Sequence, residues 1–278
     1  MTTPSNRPAD PPAPHWGAVV SVERRSPSMV RIVLGGEGLD AFEPSAFTDS
    51  YVNCLFLPDD SPLVVPFTAE QGKALDPAQR PKPRRFTVRH WDAEQRQLTL
   101  DFVAHGDVGW AGRWAQRATV GDRLQMLGPG GGYRPDPEAA WYLFVGDESA
   151  LPAIAASLEA VPADAAVEVL VVVDGPDNEQ PLPAIPGATV QWLRRSTAAL
   201  PEALLVDAVA DLEWRDGTPD VFVHGEAGEV RAVRKLLLAD RGVQKEAASI
   251  SPYWRRDHDD EAWRHVKRAW LAEQEADV

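Results

Sequence analysis

The heptapeptide VEVLVVV, Val167–Val173, is apolar at six of its seven positions. A half-exposed strand of that length would alternate apolar with polar residues, so an unbroken aliphatic run reads as a strand covered on both faces. WYLFVGD and DVFVHGE have the same texture, and helical patterns separate these runs: LPAIAASLEAV, LPEALLVDAVADL and EVRAVRKLLLADRG. Buried strands alternating with helices predict a parallel sheet with helices on both faces. Upstream the texture differs. AVVSVERRS, MVRIVLGG, YVNCLFLP, RRFTVRHW, RQLTLDFVAH and VGDRLQMLGP are alternating or β-branched runs around one short helix ending near Arg117. They predict a small antiparallel β-barrel, with Pro58 to Pro83 left as a polar loop. GPGGGYRPDPEAA is the strongest break, so the expected organisation is a flexible tail (1–14), a β-barrel domain (15–132) and an α/β nucleotide-binding domain with a C-terminal helix (139–278).

Charge narrows the partners. With 28 Lys+Arg against 42 Asp+Glu the formal net charge is −14, whereas nucleic-acid domains display a basic face; small molecules or proteins are expected instead of nucleic acid. The opening MTTPSNRPADPPAPHW has no apolar signal core and no stretch of about 18 apolar residues occurs, so no membrane contact and a cytoplasmic location are expected. Cys54 is the single cysteine and the histidines lack ligand spacing, so no disulfide and no metal site are expected; RRDHDDE reads as a solvated helix start.

Against that charge, RPKPRRFTVRHW packs four arginines and a lysine into Arg80 to Trp91. A guanidinium fork matches phosphate oxygens, and an aromatic offers its face to a flat ring. Strand alternation sends Phe86 and Val88 to one side and Arg85, Thr87 and Arg89 to the other. A ring stacked on Phe86 therefore meets Thr87 from the same side only through a bend or bulge, and main chain is expected to supply part of the contact. The competing reading is a surface strand with wet arginines. In DFVAHGDVGWAGRWA a strand, a glycine turn and a helix start follow one another, and free N–H groups there suit a diphosphate.

R-R-F-T-V-R resembles the R-x-[Y/F]-[T/S]-x-R flavin signature of the ferredoxin-reductase-like superfamily. HGDVGWAGRWA resembles the H-G-x-x-G-P-A-x-x-W-A stretch of the siderophore-interacting proteins, which are FAD-dependent ferric-siderophore reductases. FVGDESALPAIAASLEAVP, SPYWRRDHDDEAW and MVRIVLGGEGL resemble further segments of that family, in consistent order from Trp16 to Trp270. The resemblance implies electron flow from NADPH or NADH through FAD to Fe(III) held by a siderophore. It implies that Arg84 and Arg89 hold FAD, that Phe86 and Thr87 form the catalytic contact with its ring, and that Val88 adds main chain. It places His105, Gly106, Gly109, Trp110, Ala111 and Trp114 on the diphosphate side. Gly146, Asp147, Glu148, Ser149, Ala150 and Pro152 would border the nicotinamide nucleotide, and Tyr253, Trp254, Arg255 and Arg256 the flavin face where substrate arrives. From His258 to Ala276 an amphipathic helix presents Trp263, Val266 and Trp270, either packed on the second domain or covering that site.

The departures from the family pattern carry their own expectations. Phe86 replaces tyrosine, Trp110 replaces proline, and Asp257 stands in place of glycine. Two of three places where the family lines the siderophore approach with cations hold Asn53 and Gly130, leaving Arg255 with Arg256; a hydroxamate complex is thus expected over a strongly anionic catecholate. GDESALP lacks the full G-x-G-x-x-G spacing. Arg194 and Arg195 suit a 2′-phosphate and hence NADPH, Asp174 opposes it, and solvated loop charges are an equal reading. A flavin reductase using ferredoxin or a quinone is one alternative; a non-catalytic siderophore- or nucleotide-binding module is another.

Overall fold

The structure is a computed structural model and describes residues 14–104, 109–258 and 260–277. Six antiparallel strands, β1 (His15–Ser26), β2 (Met29–Gly35), β3 (Tyr51–Phe56), β4 (Lys82–Asp92), β5 (Gln97–Val103) and β6 (Arg123–Gly130), close into a barrel in the order β1-β2-β5-β4-β3-β6. Alternation explains the closure: Ile32, Leu34, Val52, Cys54, Leu98, Leu100, Phe102 and Met126 fill the interior and none of them is exposed at all. Arg31 and Asp101, opposite one another on β2 and β5, form a two-point ion pair at 2.7 and 2.8 Å.

The loop expected between Pro58 and Pro83 contains a helix, α1 (Ala69–Lys73), held by a capping box in which the Thr68 hydroxyl accepts from Gln71 N and the Gln71 side chain accepts from Thr68 N. Five residues are too few for a periodic signal, so only the Thr-x-x-Gln spacing announces it. Helix α2 (Trp110–Arg117) links β5 to β6. Strand β6 runs into the glycine-rich break as far as Gly130, which pairs with Tyr51.

The second half builds a five-stranded all-parallel sheet, order β11-β10-β7-β8-β9, from β7 (Trp141–Asp147), β8 (Val167–Val173), β9 (Ala188–Arg194), β10 (Pro219–Glu226) and β11 (Ala248–Trp254). Every residue of β7, β8 and β10 is buried, as their apolar runs require. Helix α3 (Leu151–Leu158) belongs to the apolar cluster on one face, which Met29 of the barrel joins; α4 (Leu204–Asp211) and α5 (Ala227–Lys235) cover the other. Strands β8 and β10 flank β7, so the chain reverses direction across the sheet beside β7, and ligands in open α/β sheets bind at the carboxyl end of such a point. Helix α6 (Asp260–Glu275) packs Trp263 and Trp270 on Ala227, while Val266, expected on the same face, is exposed. Among the described residues no helix is long and apolar enough to cross a membrane.

Candidate functional site

The pairing of β4 shows what its arginine-rich half is left to do. Along Cys54↔Arg84, Val52↔Phe86 and Tyr51↔Thr87 it ladders to β3, whereas its ladder to β5 begins only at Val88↔Leu100 and is shifted before His90. N-terminal to Val88 the motif therefore has no strand partner on its β5 side, and its main chain there is available to a ligand. Phe86 turns into the barrel end, 4.3 Å from Phe102 and 6.0 Å from Phe56 by ring centroids. Trp114 of α2 completes the group, 5.7 Å from each of those two rings. Thr87 faces the other way, as alternation predicts, yet it is buried, and the Tyr253 phenol near it is raised above its ordinary pKa by burial, with Thr87 a lesser, opposing influence. The flavin motif therefore lies beside the carboxyl end of β11.

The arginines flanking Thr87 tie the two halves together. Arg84 Nη1 donates to Pro83 O at 2.8 Å and lies 3.2 Å from Glu261 Oε1 of α6; Arg89 Nη2 donates to Glu159 Oε1 at 2.7 Å, just past α3. His105 and Gly106 lie outside the described residues. Gly109 precedes α2 at φ +76°, and no side chain caps the helix; a Cβ on Gly109 would meet nothing within 4 Å. Trp110 and Trp114, with Arg113 and Arg117, line a cavity of about 130 Å³ against Phe56 and Leu57, and the Arg113 guanidinium lies 5.2 Å over the Trp110 ring. An uncapped helix start, a strand edge without a ladder and a half-buried arginine are a donor set that fits FAD.

At the carboxyl edge the predicted residues meet in one network. Asp147, fully buried, accepts from Ser149 N at 2.8 Å, Glu226 N at 2.9 Å and Trp254 Nε1 at 2.8 Å. Glu148 accepts from Arg195 Nη1 through both oxygens, at 2.8 and 2.7 Å, and from Asp174 N at 2.8 Å. Arg195 also lies 3.1 Å from Asp174 Oδ1, and Arg194 donates to Glu179 at 2.7 Å. Both arginines considered for a 2′-phosphate are thus held by carboxylates. Gly146, Ala150 and Pro152 are buried beside this network. Arg256 Nη2 donates to Glu229 Oε1 at 2.8 Å, and Arg255 lies 5.9 Å over the Trp263 ring.

Sequence reasoning missed Glu226, Glu229 and His224. Glu226 caps α5 by accepting from Gly228 N and Glu229 N. The Glu229 carboxyl is pushed up to about 7 by burial, with Asp147 and Glu226 adding to the effect. His224 stacks on Phe222 at 3.9 Å and meets Tyr253 edge-on at 4.8 Å; burial lowers its pKa to about 3. The only signal for His224 and Glu226 was H-G-E at the end of an apolar strand, and Glu229 lies beyond it. A larger cavity, about 670 Å³, opens at the opposite, amino edge of the sheet beside Tyr133, Asp136 and Asp220, away from Thr87 and Tyr253.

Comparison with known proteins follows the same division. Residues 18–133 match the siderophore-interacting FAD-binding domain and residues 139–257 the siderophore-interacting protein model. The ferric vibriobactin reductase ViuB of Vibrio cholerae is 33% identical over 87% of this chain and 90% of its own. The NADPH-dependent ferric-chelate reductase of Escherichia coli is 35% identical over 85% and 91%. The crystal structure of the siderophore-interacting protein SipS from Aeromonas hydrophila superposes with a TM-score of 0.79 at 30% identity, covering 93% of this chain and 98% of that one. With both halves matched in order, this chain belongs to the siderophore-interacting protein family.

Proposed function

We propose that the protein is a ferric-siderophore reductase of the cytoplasm, built from a barrel domain (15–132) and a nucleotide domain (139–278), which passes electrons from NAD(P)H to Fe(III) and releases Fe(II). The observation carrying this reading is the contact of Arg84, in the flavin motif, with Glu261 just past the carboxyl end of β11, which puts the motif against the edge of the sheet where a dinucleotide binds. FAD, when bound, supplies acceptance of a hydride and release of single electrons. Overall, one NAD(P)H and two Fe(III) give NAD(P)⁺, two Fe(II) and one proton. Arg84 with the α2 N-terminus would hold the diphosphate, and the main chain from Phe86 to Val88 would meet the polar edge of the ring. Phe86 backs the ring from the barrel, and Arg89 with Glu159 keeps the two halves at a fixed distance. Fe(II) is held less firmly than Fe(III) by oxygen chelators, so no protein ligand to iron is needed.

Two finer readings belong to the proposal. Asp174 presents an exposed carboxylate, and both neighbouring arginines are already paired, so a free ribose 2′-hydroxyl fits better than a 2′-phosphate and NADH is the favoured donor. Asn53 and Gly130 bring no charge to the approach, which favours hydroxamate over catecholate complexes. Ferredoxin as donor competes poorly, because the chain carries a net charge of −14 and ferredoxins are themselves usually acidic. The test is anaerobic mixing of FAD-loaded protein with NADH, NADPH or reduced ferredoxin, then a ferric siderophore and an Fe(II)-trapping dye. Bleaching by NADH followed by dye colour is expected. Bleaching without colour would exclude the siderophore as acceptor, and bleaching by ferredoxin alone would exclude the dinucleotide.

A further inference from the structure

Arg85 differs from most arginines of this region; Arg255, half-buried over the Trp263 ring, is another that no carboxylate faces among the described residues. Arg84, Arg89, Arg194, Arg195 and Arg256 each face a carboxylate within 3.2 Å, whereas among the described residues none pairs with Arg85. Its guanidinium instead lies 5.1 Å over the Tyr51 ring, and the side chain is exposed.

The surroundings of Arg85 define what it can bind. Arg85 shares the outer face of the barrel with Thr87, two residues and hence about 7 Å along the strand, and Tyr51 is the direct cross-strand neighbour of Thr87. Residues from the second half bound one end of the position, Glu261 and Arg264 of α6 at Arg84 and Pro83, and Tyr253 lies near Thr87 at the other. The Tyr51 ring is seated against Gly130, where an added Cβ would come within 2.6 Å of the ring. The glycine that removes a cation from the family pattern is therefore also what lets Tyr51 lie flat beneath Arg85. A guanidinium on an aromatic face offers hydrogen-bond donors to an anionic oxygen and a flat surface to a planar arm.

We propose that Arg85, seated on Tyr51, is a substrate-recognition cation of this protein and takes a ferric chelate bearing an anionic pendant group, such as a carboxylate. The inference rests on the ferric-siderophore reading above and deepens it: an exposed guanidinium beside the flavin motif suits a pendant carboxylate. Arg85 recognises the chelate and takes no part in holding FAD, which separates it from its neighbour Arg84.

The test uses full-length FAD-loaded protein and two ferric complexes that differ at one end: that of desferrioxamine B, with a spare ammonium, and that of its N-succinyl derivative, with a spare carboxylate. The wild type is expected to show a KM lower by roughly fivefold or more for the carboxylate form, as one solvent-facing charge contact allows. Arg85→Ala is expected to erase that difference, Arg85→Lys to restore part of it, and both to leave FAD affinity and the rate of flavin bleaching by NADH unchanged. Equal discrimination in wild type and Arg85→Ala would overturn the inference alone, as would a loss of FAD affinity in Arg85→Ala. A wild type that bleaches yet reduces neither complex would overturn the ferric-siderophore reading and this inference with it.

Discussion

Glu229 and His224 are both buried at the carboxyl edge, and burial shifts both toward the neutral form, the one upward and the other downward in pKa. The carboxyl of Glu229 is pushed up to about 7 by burial beside Asp147 and Glu226, against Arg195 and Arg256; the imidazole of His224 is lowered to about 3 by burial. For Glu229 the folded chain binds the proton more tightly than the unfolded one, so its stabilisation is complete below about pH 4.5 and is lost as pH rises through 7. For His224 the unfolded chain takes the proton first, so stability is complete above about 6.5 and falls as pH drops toward 3. Urea unfolding should therefore find Glu229→Gln more stable than wild type above pH 7, by up to about 3 kcal/mol, with the gain gone by pH 4.5. A difference that does not change with pH would show that Glu229 titrates as an ordinary carboxylate. None of this was legible in the sequence, because Glu229 lies on a helix whose composition looks solvated and its burial depends on strands and loops far along the chain.

At the scale of elements, the strands were legible and the contacts between them were not. Continuous aliphatic runs such as Val167–Val173 can only be buried on both faces, and every residue of β8 is; Leu98 and Leu100 announce a barrel interior by alternation. The seat of Arg85 depends on three strands meeting at Tyr51 and Gly130, and the proximity of Thr87 to Tyr253 joins residues from opposite halves of the chain, so no local pattern encodes either. Helix α2 shows how a short element can serve as a site. Its N-cap is Gly109 at φ +76° with no side-chain bond, leaving the first-turn N–H groups for an anion. Gly109→Val places a β-branched residue in that region, where the strain costs about 1–2 kcal/mol. FAD affinity should fall by about tenfold, since 1.4 kcal/mol is one decade, with little effect on riboflavin affinity. Equal losses for both ligands would mean that the turn shapes the ring site instead of the diphosphate site.

Taken whole, the molecule is two halves stitched along one seam. Arg84 reaches Glu261, Arg89 reaches Glu159, and Thr48 bonds Ser157 at 2.8 Å. Solvent-facing ion pairs contribute little each, so the seam relies also on Met29 joining the apolar cluster of α3. Helix α6 runs along this arrangement, with its tryptophans on α5 and its first turn at Arg84. The account places FAD at the seam through Arg84, where a diphosphate and Glu261 compete for one guanidinium. The measurement that tests this most directly is the dissociation constant for FAD and for riboflavin, taken by fluorescence quenching on wild type and Arg84→Ala. The account predicts that wild type prefers FAD strongly and that Arg84→Ala loses roughly tenfold or more in FAD affinity, as expected for a charge-assisted phosphate contact, while riboflavin is unaffected. A wild type that binds both alike, or an Arg84→Ala variant with undiminished FAD affinity, would contradict it.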